Sequence, residues 1–332
     1  MADALSVWQH VEAEGRRCAR LDPAALLAAD PTRPRRYGAG LNGVWLDVSR
    51  QLIDDAALTA LLALVEAVDL QGRIHGLFAG EPVNTSERRP ALHMLMRARD
   101  DDPPVRVAGI DLAAEARRSR ARMQALVSAW MQQQLRGVRG EVLVDVVNIG
   151  VGGSDLGAVM ATEALQPWRC ATGRFHFVSG MDGVQLADVL EQVDPDRTLF
   201  ILSSKSFRTP DTMGNAAVLR DWLIQRLGPG AVSTQVIGVS GNRAAMTDWG
   251  VAEALQLDVP DWIGGRYSIS SAVGLPLALA LGWERFRAFL DGMHSVDVHF
   301  RSAPPRSNLP VLMGLLAVWQ RNALGCHAHA VL

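Results

Sequence analysis

The sequence predicts an α/β protein with a doubly wound, mainly parallel sheet that follows a helical N-terminal region. Short apolar runs rich in β-branched residues lie at 142–150, 174–180, 198–204 and 234–241. Helical patterns separate these runs, and their spacing of roughly 25–35 residues is typical of strand–helix–strand units. A sheet of this kind binds ligands beyond the carboxyl ends of its strands.

Apolar spacing predicts the helices in chain order. The N-terminal region has a strong helical pattern at 53–68, with aspartates in the first turn, where the helix dipole favours acids. The DDDPP run at 100–104 breaks the chain before a helix at 112–136. Further helices are expected at 155–165, 182–192, 212–227 and 243–249, in an amphipathic stretch that ends at His294, and at 311–324.

The composition is that of a globular protein of 332 residues, with 48% hydrophobic and 20% charged residues. These fractions exclude the disordered, collagen-like and disulfide-scaffold classes. The formal net charge of −2 provides no global positive field for nucleic acid or an anionic membrane surface. The most basic stretch, 113–122, is expected to form a solvated helix face, and small-molecule chemistry is the leading class.

The cysteines and the apolar runs bear on the compartment. Cys18, Cys170 and Cys326 are widely spaced and form no CxxC pair, which argues against zinc or redox chemistry and favours a reduced, cytoplasmic setting. The apolar runs stay shorter than the roughly 18 residues of a membrane helix, and the N-terminus lacks a secretory pattern. No membrane association is predicted.

The first predicted strand opens onto GVGGSDLG at 150–157. Its glycines allow close backbone approach, and Ser154 with Asp155 starts a helix whose free N–H groups suit a phosphate. The run is not GxGxxG, because Asp155 replaces the third glycine, and it is not a P-loop, because no lysine follows. Two interpretations stay open: an anion cradle, or a tight turn whose glycines serve packing alone.

The third predicted strand opens onto SSKSFRTPDT at 203–212, a hydroxyl-rich loop that leads into a helix near Pro210. Hydroxyls and free N–H groups at a helix start, with one cation, suit a phosphate monoester, whereas the alternative is a simple capping turn. The loop holds Lys205, the single lysine among 33 basic residues. Because coding bias replaces lysine by arginine wherever either serves, Lys205 marks a position where arginine does not serve.

Arg266 follows two glycines in the GGRYS run. The glycines allow the backbone to carry this side chain close to a ligand. An arginine fork can hold a developing enolate or a carboxylate oxygen. The alternative interpretation is a structural salt bridge.

Six ordered blocks resemble those of the glucose-6-phosphate isomerase family: 80–97, 147–157, 177–183, 204–216, 262–276 and 311–332. The resemblance implies paired sugar-isomerase α/β domains with helical decoration, usually in a homodimer. It also implies interconversion of glucose 6-phosphate and fructose 6-phosphate through a cis-enediol, without a metal or an organic cofactor. The implied partner is a small sugar phosphate, and neither nucleic acid nor membrane is expected.

The resemblance also implies roles for individual residues. Two residues match the family's first phosphate-contacting turn, four match its phosphate loop, and one matches the arginine that stabilises the enediolate. In that order they are Gly153 and Ser154; Ser204, Lys205, Ser206 and Thr209; and Arg266. Ser206 stands for a threonine, Arg208 for another hydroxyl residue and Asp211 for a glutamate, so phosphate affinity is the property that these departures affect.

The family's base glutamate, ring-opening histidine and late lysine have no counterpart here. We therefore expect the chain to be the N-terminal portion of a member of this family. It would carry the phosphate-binding half of the active site and lack the second α/β domain. Its isomerase activity alone would be absent or severely impaired. The expected division is 1–105, the helical region; 106–295, the sugar-isomerase domain; and 296–332, a connector with the start of the second domain. The alternative is a non-catalytic sugar-phosphate-binding module.

Other candidate side chains receive supporting roles. We expect His93, His327 and His329 to lie in the core or to support the site, and Glu81 and Glu87 to cap a turn or pair with nearby arginines. In a chain that lacks the second domain, we expect the apolar side of the final helix to lose part of its cover. Its members are Leu312, Leu315, Leu316 and Trp319.

Overall fold

The computed structural model describes residues 2–330. Its α-helices are α1 (Ala2–Cys18), α2 (Pro23–Ala29), α3 (Arg33–Arg36), α4 (Asp55–Ala67), α5 (Leu70–Ala79), α6 (Leu112–Met131), α7 (Leu156–Ala164), α8 (Val184–Gln192), α9 (Pro210–Leu227), α10 (Gly230–Gln235), α11 (Arg243–Trp249), α12 (Leu275–Leu281), α13 (Trp283–Ser302) and α14 (Leu309–Val318). Its strands are β1 (Gly38–Leu41), β2 (Val44–Asp47), β3 (Arg106–Val107), β4 (Ile110–Asp111), β5 (Asp145–Gly150), β6 (Phe175–Val178), β7 (Thr198–Ser203), β8 (Val236–Ser240) and β9 (Gln256–Asp258).

A five-stranded parallel sheet has the strand order β6-β5-β7-β8-β9. Every residue of β5, β7 and β8 is buried, as expected for central strands that helices cover on both faces. On one face, Phe200 and Leu202 of β7 belong to the same apolar cluster as Leu219 and Leu223 of α9. The predicted α/β class with a mainly parallel sheet is confirmed.

The predicted strands all form, and the helices between them begin and end within a few residues of the predicted positions. Several short elements were not predicted, among them β9, the β1–β2 hairpin and the β3–β4 pair. Strand β9 has only three residues, too few to give a periodic pattern. The antiparallel pair β1–β2 turns at Asn42 and Gly43, whose φ angles are 47° and 83°; this Asn-Gly pair is the signal that could have revealed the hairpin.

The chain forms two compact units. One combines the described residues up to 79 with those from 293 onward, and the other comprises residues 80–292. These units divide the chain differently from the segments 1–105, 106–295 and 296–332, because the two ends of the chain pack on one another.

The first unit buries the final helix. Leu312 and Leu315 of α14 lie in one apolar cluster with Leu61 of α4. Trp319, in a π-helical turn that extends α14, is fully buried, and its indole N–H donates to the Leu52 carbonyl at 3.0 Å. The expectation that this apolar side loses its cover is therefore wrong for these three residues, because α1 and α4 pack over the helix.

The basic stretch of α6 is only partly solvated. Arg120 is buried and donates to the Leu95 carbonyl at 2.8 Å and to Asp100 at 3.0 Å. Arg122 donates to the carbonyls of Glu253 and Gln256. The prediction of a solvated face is wrong for Arg120, because its guanidinium is buried against the Leu95 carbonyl. Arg118 of the same stretch is exposed, so the face is solvated only in part.

Two features relate to the compartment. No helix within residues 2–330 combines the length and the apolar character that crossing a membrane requires. Cys18 is buried, Cys170 and Cys326 are exposed, and all three carry free thiols. The cytoplasmic setting stays a prediction.

Candidate functional site

Two loops leave the carboxyl ends of neighbouring strands. Gly150, the last residue of β5, lies opposite Ser203, the last residue of β7. The first loop turns through a short 3-10 segment, Gly152–Ser154, and enters α7. Gly152 has a φ of 56°, a conformation that glycine adopts without strain. The sheet therefore brings the first predicted phosphate turn beside the second.

The second loop, residues 204–209, follows β7, and hydrogen bonds between its own residues stabilise its conformation. The hydroxyls of Ser204 and Thr209 share a hydrogen bond of 2.9 Å, and the amide of Arg208 donates to Ser206 Oγ at 3.2 Å. Phe207 has a left-handed φ of 53° yet is buried. Its ring packs edge-on against Trp249, with 6.3 Å between centroids. Strain of this kind persists only where surrounding packing imposes it, so the core holds this loop in shape.

The helices that follow both loops lack side-chain caps. Asp155 precedes α7 and Thr209 precedes α9, and neither side chain accepts a hydrogen bond from the first turn. By contrast, Asp54, Asp111 and Asn242 cap α4, α6 and α11 in the ordinary way. The first N–H groups of α7 and α9 are thus available to an anion, which the helix dipole also favours.

Asp155 has an unusual environment at the start of α7. The residue is 5% exposed, and its Oδ1 atom has no hydrogen-bond partner within the described chain. Burial raises the pKa of Asp155, although a hydrogen bond with Ser179 opposes the shift. Because burial favours the neutral carboxyl group, it weakens the repulsion that this residue would exert on a phosphate.

The Lys205 ammonium donates to the carbonyl groups of Asp261 and Ile263, each at 2.9 Å. Burial, followed by the nearby charge of Arg89, lowers the pKa of Lys205, whereas Asp261 and Glu87 oppose the shift. The lone lysine therefore joins the second loop to the segment that precedes Arg266. The sequence identified Lys205 as special, but its partners lie 56 and 58 residues further along the chain.

Arg266 lies in a 3-10 segment, Gly265–Ser270, and is exposed. Its guanidinium forms no ion pair or hydrogen bond with the described residues. The salt-bridge interpretation is therefore wrong. Gly153 packs directly on the backbone of Gly265, and Ser268 Oγ donates to the Gly153 carbonyl at 3.1 Å. These contacts bring the first loop against the turn that carries Arg266.

A cleft of about 530 Å³ opens at this junction, and Gly153, Arg266 and Tyr267 line it. Arg89 also lines the cleft and pairs with Glu87 at 3.4 Å and with Asp261 at 3.3 Å. The predicted pairing of Glu87 with a neighbouring arginine is thus confirmed, whereas Glu81 is exposed. The sequence indicated Arg89 only as a possible partner of these glutamates, and it did not single out Tyr267. The positions of both residues in the blocks 80–97 and 262–276 were the available signal.

His93 contacts Tyr267, one of the residues that line the cleft. Its ring stacks on Tyr267, with 4.5 Å between centroids and 16° between planes. Burial, with a smaller contribution from Arg97, lowers the pKa of His93 to about 4, so the imidazole is neutral at pH 7. His327 and His329 are exposed instead of lying in the core, because they belong to an extended segment outside the helices.

The sequence is similar to those of proteins of known family. Residues 47–332 match the family model described as phosphoglucose isomerase. The chain is 43% identical to glucose-6-phosphate isomerase 2 of Chromohalobacter salexigens, with 98% of this chain and 60% of that relative covered. It is 41% identical to the glucose-6-phosphate isomerase of Psychrobacter cryohalolentis, with 98% and 59% covered.

The fold is also similar to that of a solved structure of a protein with the same name as these relatives. The crystal structure of a glucose-6-phosphate isomerase from Chlamydia trachomatis superposes with a TM-score of 0.84 at 28% identity, covering 94% of this chain and 60% of that one. The chain thus spans about 60% of the length of these relatives. With the parallel sheet and the ordered loops at its strand ends, these matches establish that the chain belongs to the phosphoglucose isomerase family.

Proposed function

We propose that this chain binds a six-carbon sugar phosphate as part of an aldose–ketose isomerase that interconverts glucose 6-phosphate and fructose 6-phosphate. The observation that carries the proposal is that both loops contact one segment, 261–266. Gly153 of the first loop contacts Gly265, and Lys205 of the second loop donates to Asp261 and Ile263. The names of the relatives support this substrate pair.

The phosphate binds between the first two loops. Its oxygens accept hydrogen bonds from free N–H groups at the starts of α7 and α9 and from hydroxyl groups nearby. Seven groups take part in binding the substrate: Gly153, Ser154, Ser204, Lys205, Ser206 and Thr209 at the phosphate, and Arg266 at the reacting carbons. Because the uncapped helix starts carry partial positive charge, a phosphate dianion is favoured over a neutral sugar hydroxyl.

Arg266 acts on the sugar carbons. Isomerisation moves a proton between C2 and C1 and passes through an enediol whose oxygen gains negative charge. A guanidinium without an ion-pair partner among the described residues is suited to stabilise that charge. The proposed reaction uses neither a metal nor an organic cofactor.

The proton-transferring base is not assigned to the carboxylates that line the cleft. Glu87 and Asp261 are both ion-paired with Arg89, and transfer of a proton to either would weaken that pair. We propose that this chain supplies the phosphate-binding half and the oxyanion-stabilising arginine and has little turnover alone. Homodimer formation belongs to the same proposal.

Calorimetric titration with fructose 6-phosphate tests the binding site. We expect binding that inorganic phosphate competes away and that Ser204→Ala weakens about tenfold, the effect of one hydrogen bond to a charged group. Ser233→Ala, which removes a hydroxyl bonded to Gly230 in α10, is the matched control. Undetectable binding would refute the site, and unchanged affinity in Ser204→Ala would refute the loop assignment.

A coupled assay tests the catalytic part. The chain alone is expected to bind substrate with turnover far below that of a complete isomerase. A rate comparable to a complete isomerase would overturn the assignment of the base. If the complete protein bound fructose 6-phosphate without turnover, a sugar-phosphate-binding module would replace an isomerase as the function.

A further inference from the structure

We propose that the Lys205 side chain is a positioning residue that couples the phosphate loop to Arg266. This inference rests on the proposed function, because it assigns Lys205 a second task at the same site. The ammonium holds the backbone on both sides of Trp262, through the carbonyls of Asp261 and Ile263. The position of Arg266, three residues beyond Ile263, then depends on the position of Lys205.

Other hydrogen bonds also hold the segment that contains Trp262. Trp262 is 6% exposed, and its carbonyl accepts a hydrogen bond from the Leu92 amide at 3.1 Å. The Asp261 carbonyl also accepts one from Arg89 at 3.1 Å. Lys205 is the donor to the Ile263 carbonyl among the described residues. Loss of the ammonium would therefore leave the Ile263 carbonyl without this donor, directly before Gly264, whose own carbonyl accepts from the Tyr267 amide at 3.0 Å.

The other end of the connection is anchored in the sheet. The Lys205 carbonyl accepts hydrogen bonds from Ser240 Oγ at 3.0 Å and from the Gly241 amide at 2.9 Å. The Ser204 amide donates to Val239 at 3.0 Å. The backbone of Lys205 is thus tied to the end of β8, so the side chain transmits the position of a fixed strand end to the Arg266 segment.

The chemistry of the contact explains the choice of lysine. An ammonium is a compact charge with three donors, two of which serve the carbonyls and one of which remains for a phosphate oxygen. A guanidinium spreads its donors over a planar fork and suits two oxygens of one carboxylate or phosphate better. Lysine is otherwise absent from a chain with 33 basic residues, which agrees with a position that arginine cannot fill.

The two tasks are linked through one group. A phosphate oxygen that accepts a hydrogen bond from the third N–H of Lys205 leaves the ammonium with three partners: the phosphate and the two carbonyls. The ammonium is then fixed, and it orders the segment 261–266. Inorganic phosphate gains nothing from an ordered Arg266, whereas a sugar phosphate that reaches Arg266 does. Lys205 should therefore contribute more to the affinity for a sugar phosphate than to the affinity for inorganic phosphate.

Hydrogen exchange tests the connection without any ligand. In Lys205→Met we expect amides of 261–267 to exchange at least about fivefold faster, as expected for a lost local constraint, while β5 and β7 keep their protection. Arg208→Met, which removes an exposed cation from the same loop, should leave 261–267 unchanged. Unchanged exchange in Lys205→Met would overturn the proposal. If Lys205→Met lost protection throughout the sheet, Lys205→Gln would take its place with the same expected result.

A double-mutant cycle tests the consequence for binding. 6-Phosphogluconate carries a carboxylate at C1 that stands in for the enediolate oxygen, and inorganic phosphate lacks it. We expect Lys205→Met to weaken inorganic phosphate about tenfold, the effect of one hydrogen bond to a charged group, and 6-phosphogluconate about a hundredfold, because that ligand also loses the ordered Arg266. In an Arg266→Met background, the loss for 6-phosphogluconate should fall to the loss for phosphate.

The outcomes separate the two proposals. Equal losses for both ligands, additive with Arg266→Met, would make Lys205 a simple phosphate ligand and overturn the coupling. If the unmodified chain bound neither ligand, the proposed function would fail, and hydrogen exchange alone would decide whether Lys205 positions the Arg266 segment.

Discussion

Gly153 lies against Gly265 so closely that a Cβ atom at position 153 would overlap the Gly265 carbonyl group. The two residues are more than a hundred positions apart in the chain, and each belongs to a different loop of the cleft. The contact sets how near the first loop comes to the turn that carries Arg266. It also explains why glycine is needed at 153, where φ is not positive and backbone conformation alone would permit a side chain.

Gly153→Ala is therefore expected to separate the two loops. We expect a loss of about 1–3 kcal/mol in unfolding free energy, the usual cost of overpacking, and a weaker affinity for fructose 6-phosphate. Calorimetry and urea unfolding measure the two effects. Gly214→Ala, in α9 where a Cβ meets nothing within 4 Å, is the matched control and should stabilise the protein slightly. Equal behaviour of the two variants would contradict the role of the contact.

Thr209→Asp should raise the stability of the protein and abolish its phosphate binding. Thr209 precedes α9 without capping it, so an aspartate there can accept the first-turn N–H groups and add about 0.5–1 kcal/mol. The same carboxylate would compete with a phosphate dianion and abolish measurable phosphate binding. Thermal unfolding and phosphate titration check these opposite effects. Asp111→Ala removes a formed cap from α6 and should do the reverse, lowering stability with phosphate affinity retained.

Arg33 stabilises the N-terminal part of the first unit. It is 3% exposed, and its guanidinium donates to the carbonyls of Ser49, Gln51 and Ile53. Arg33→Met would leave these buried acceptors unsatisfied and should cost about 3 kcal/mol. Urea unfolding measures the loss, and the exposed neighbour Arg35 provides the control as Arg35→Met. A loss below that of the control would show that water replaces the guanidinium.

His93 should make stability depend on pH. Its folded-state pKa of about 4 lies below the ordinary value of 6.5, so the unfolded chain takes up a proton first as the pH falls. Stability is therefore lost between pH 6.5 and pH 4, and His93 contributes about 2.5 kcal/mol of that loss by pH 4.5. His93→Phe, which keeps a ring against Tyr267, should remove this part of the loss.

Urea unfolding at pH 7 and pH 4.5 checks the effect of His93. His75→Gln, at an exposed histidine, should retain the pH dependence of the unmodified protein. A parallel loss in His93→Phe and in the unmodified protein would assign the pH dependence to other groups.

Local patterns were sufficient for four of the five strands of the parallel sheet and for the position of the loops that follow β5 and β7. The β-branched runs predicted β5, β6, β7 and β8, because central parallel strands are apolar along their whole length. Glycines and hydroxyls directly after a strand predicted two candidate phosphate loops, and phosphate binding there stays a prediction. Arg266 and Lys205 were identified from their neighbours and from lysine use, before any contact was known.

Contacts between distant residues determined where these groups lie and what they contact. The partners of Lys205, the approach of Gly153 to Gly265 and the engagement of Arg89 by two carboxylates all join segments that no local pattern connects. Burial also depends on distant residues, because Arg120 and Trp319 are covered by segments elsewhere in the chain. Periodicity encodes which face of an element is apolar, but packing chooses the neighbour, and hydrogen-bond geometry at that neighbour determines the chemistry of the cleft.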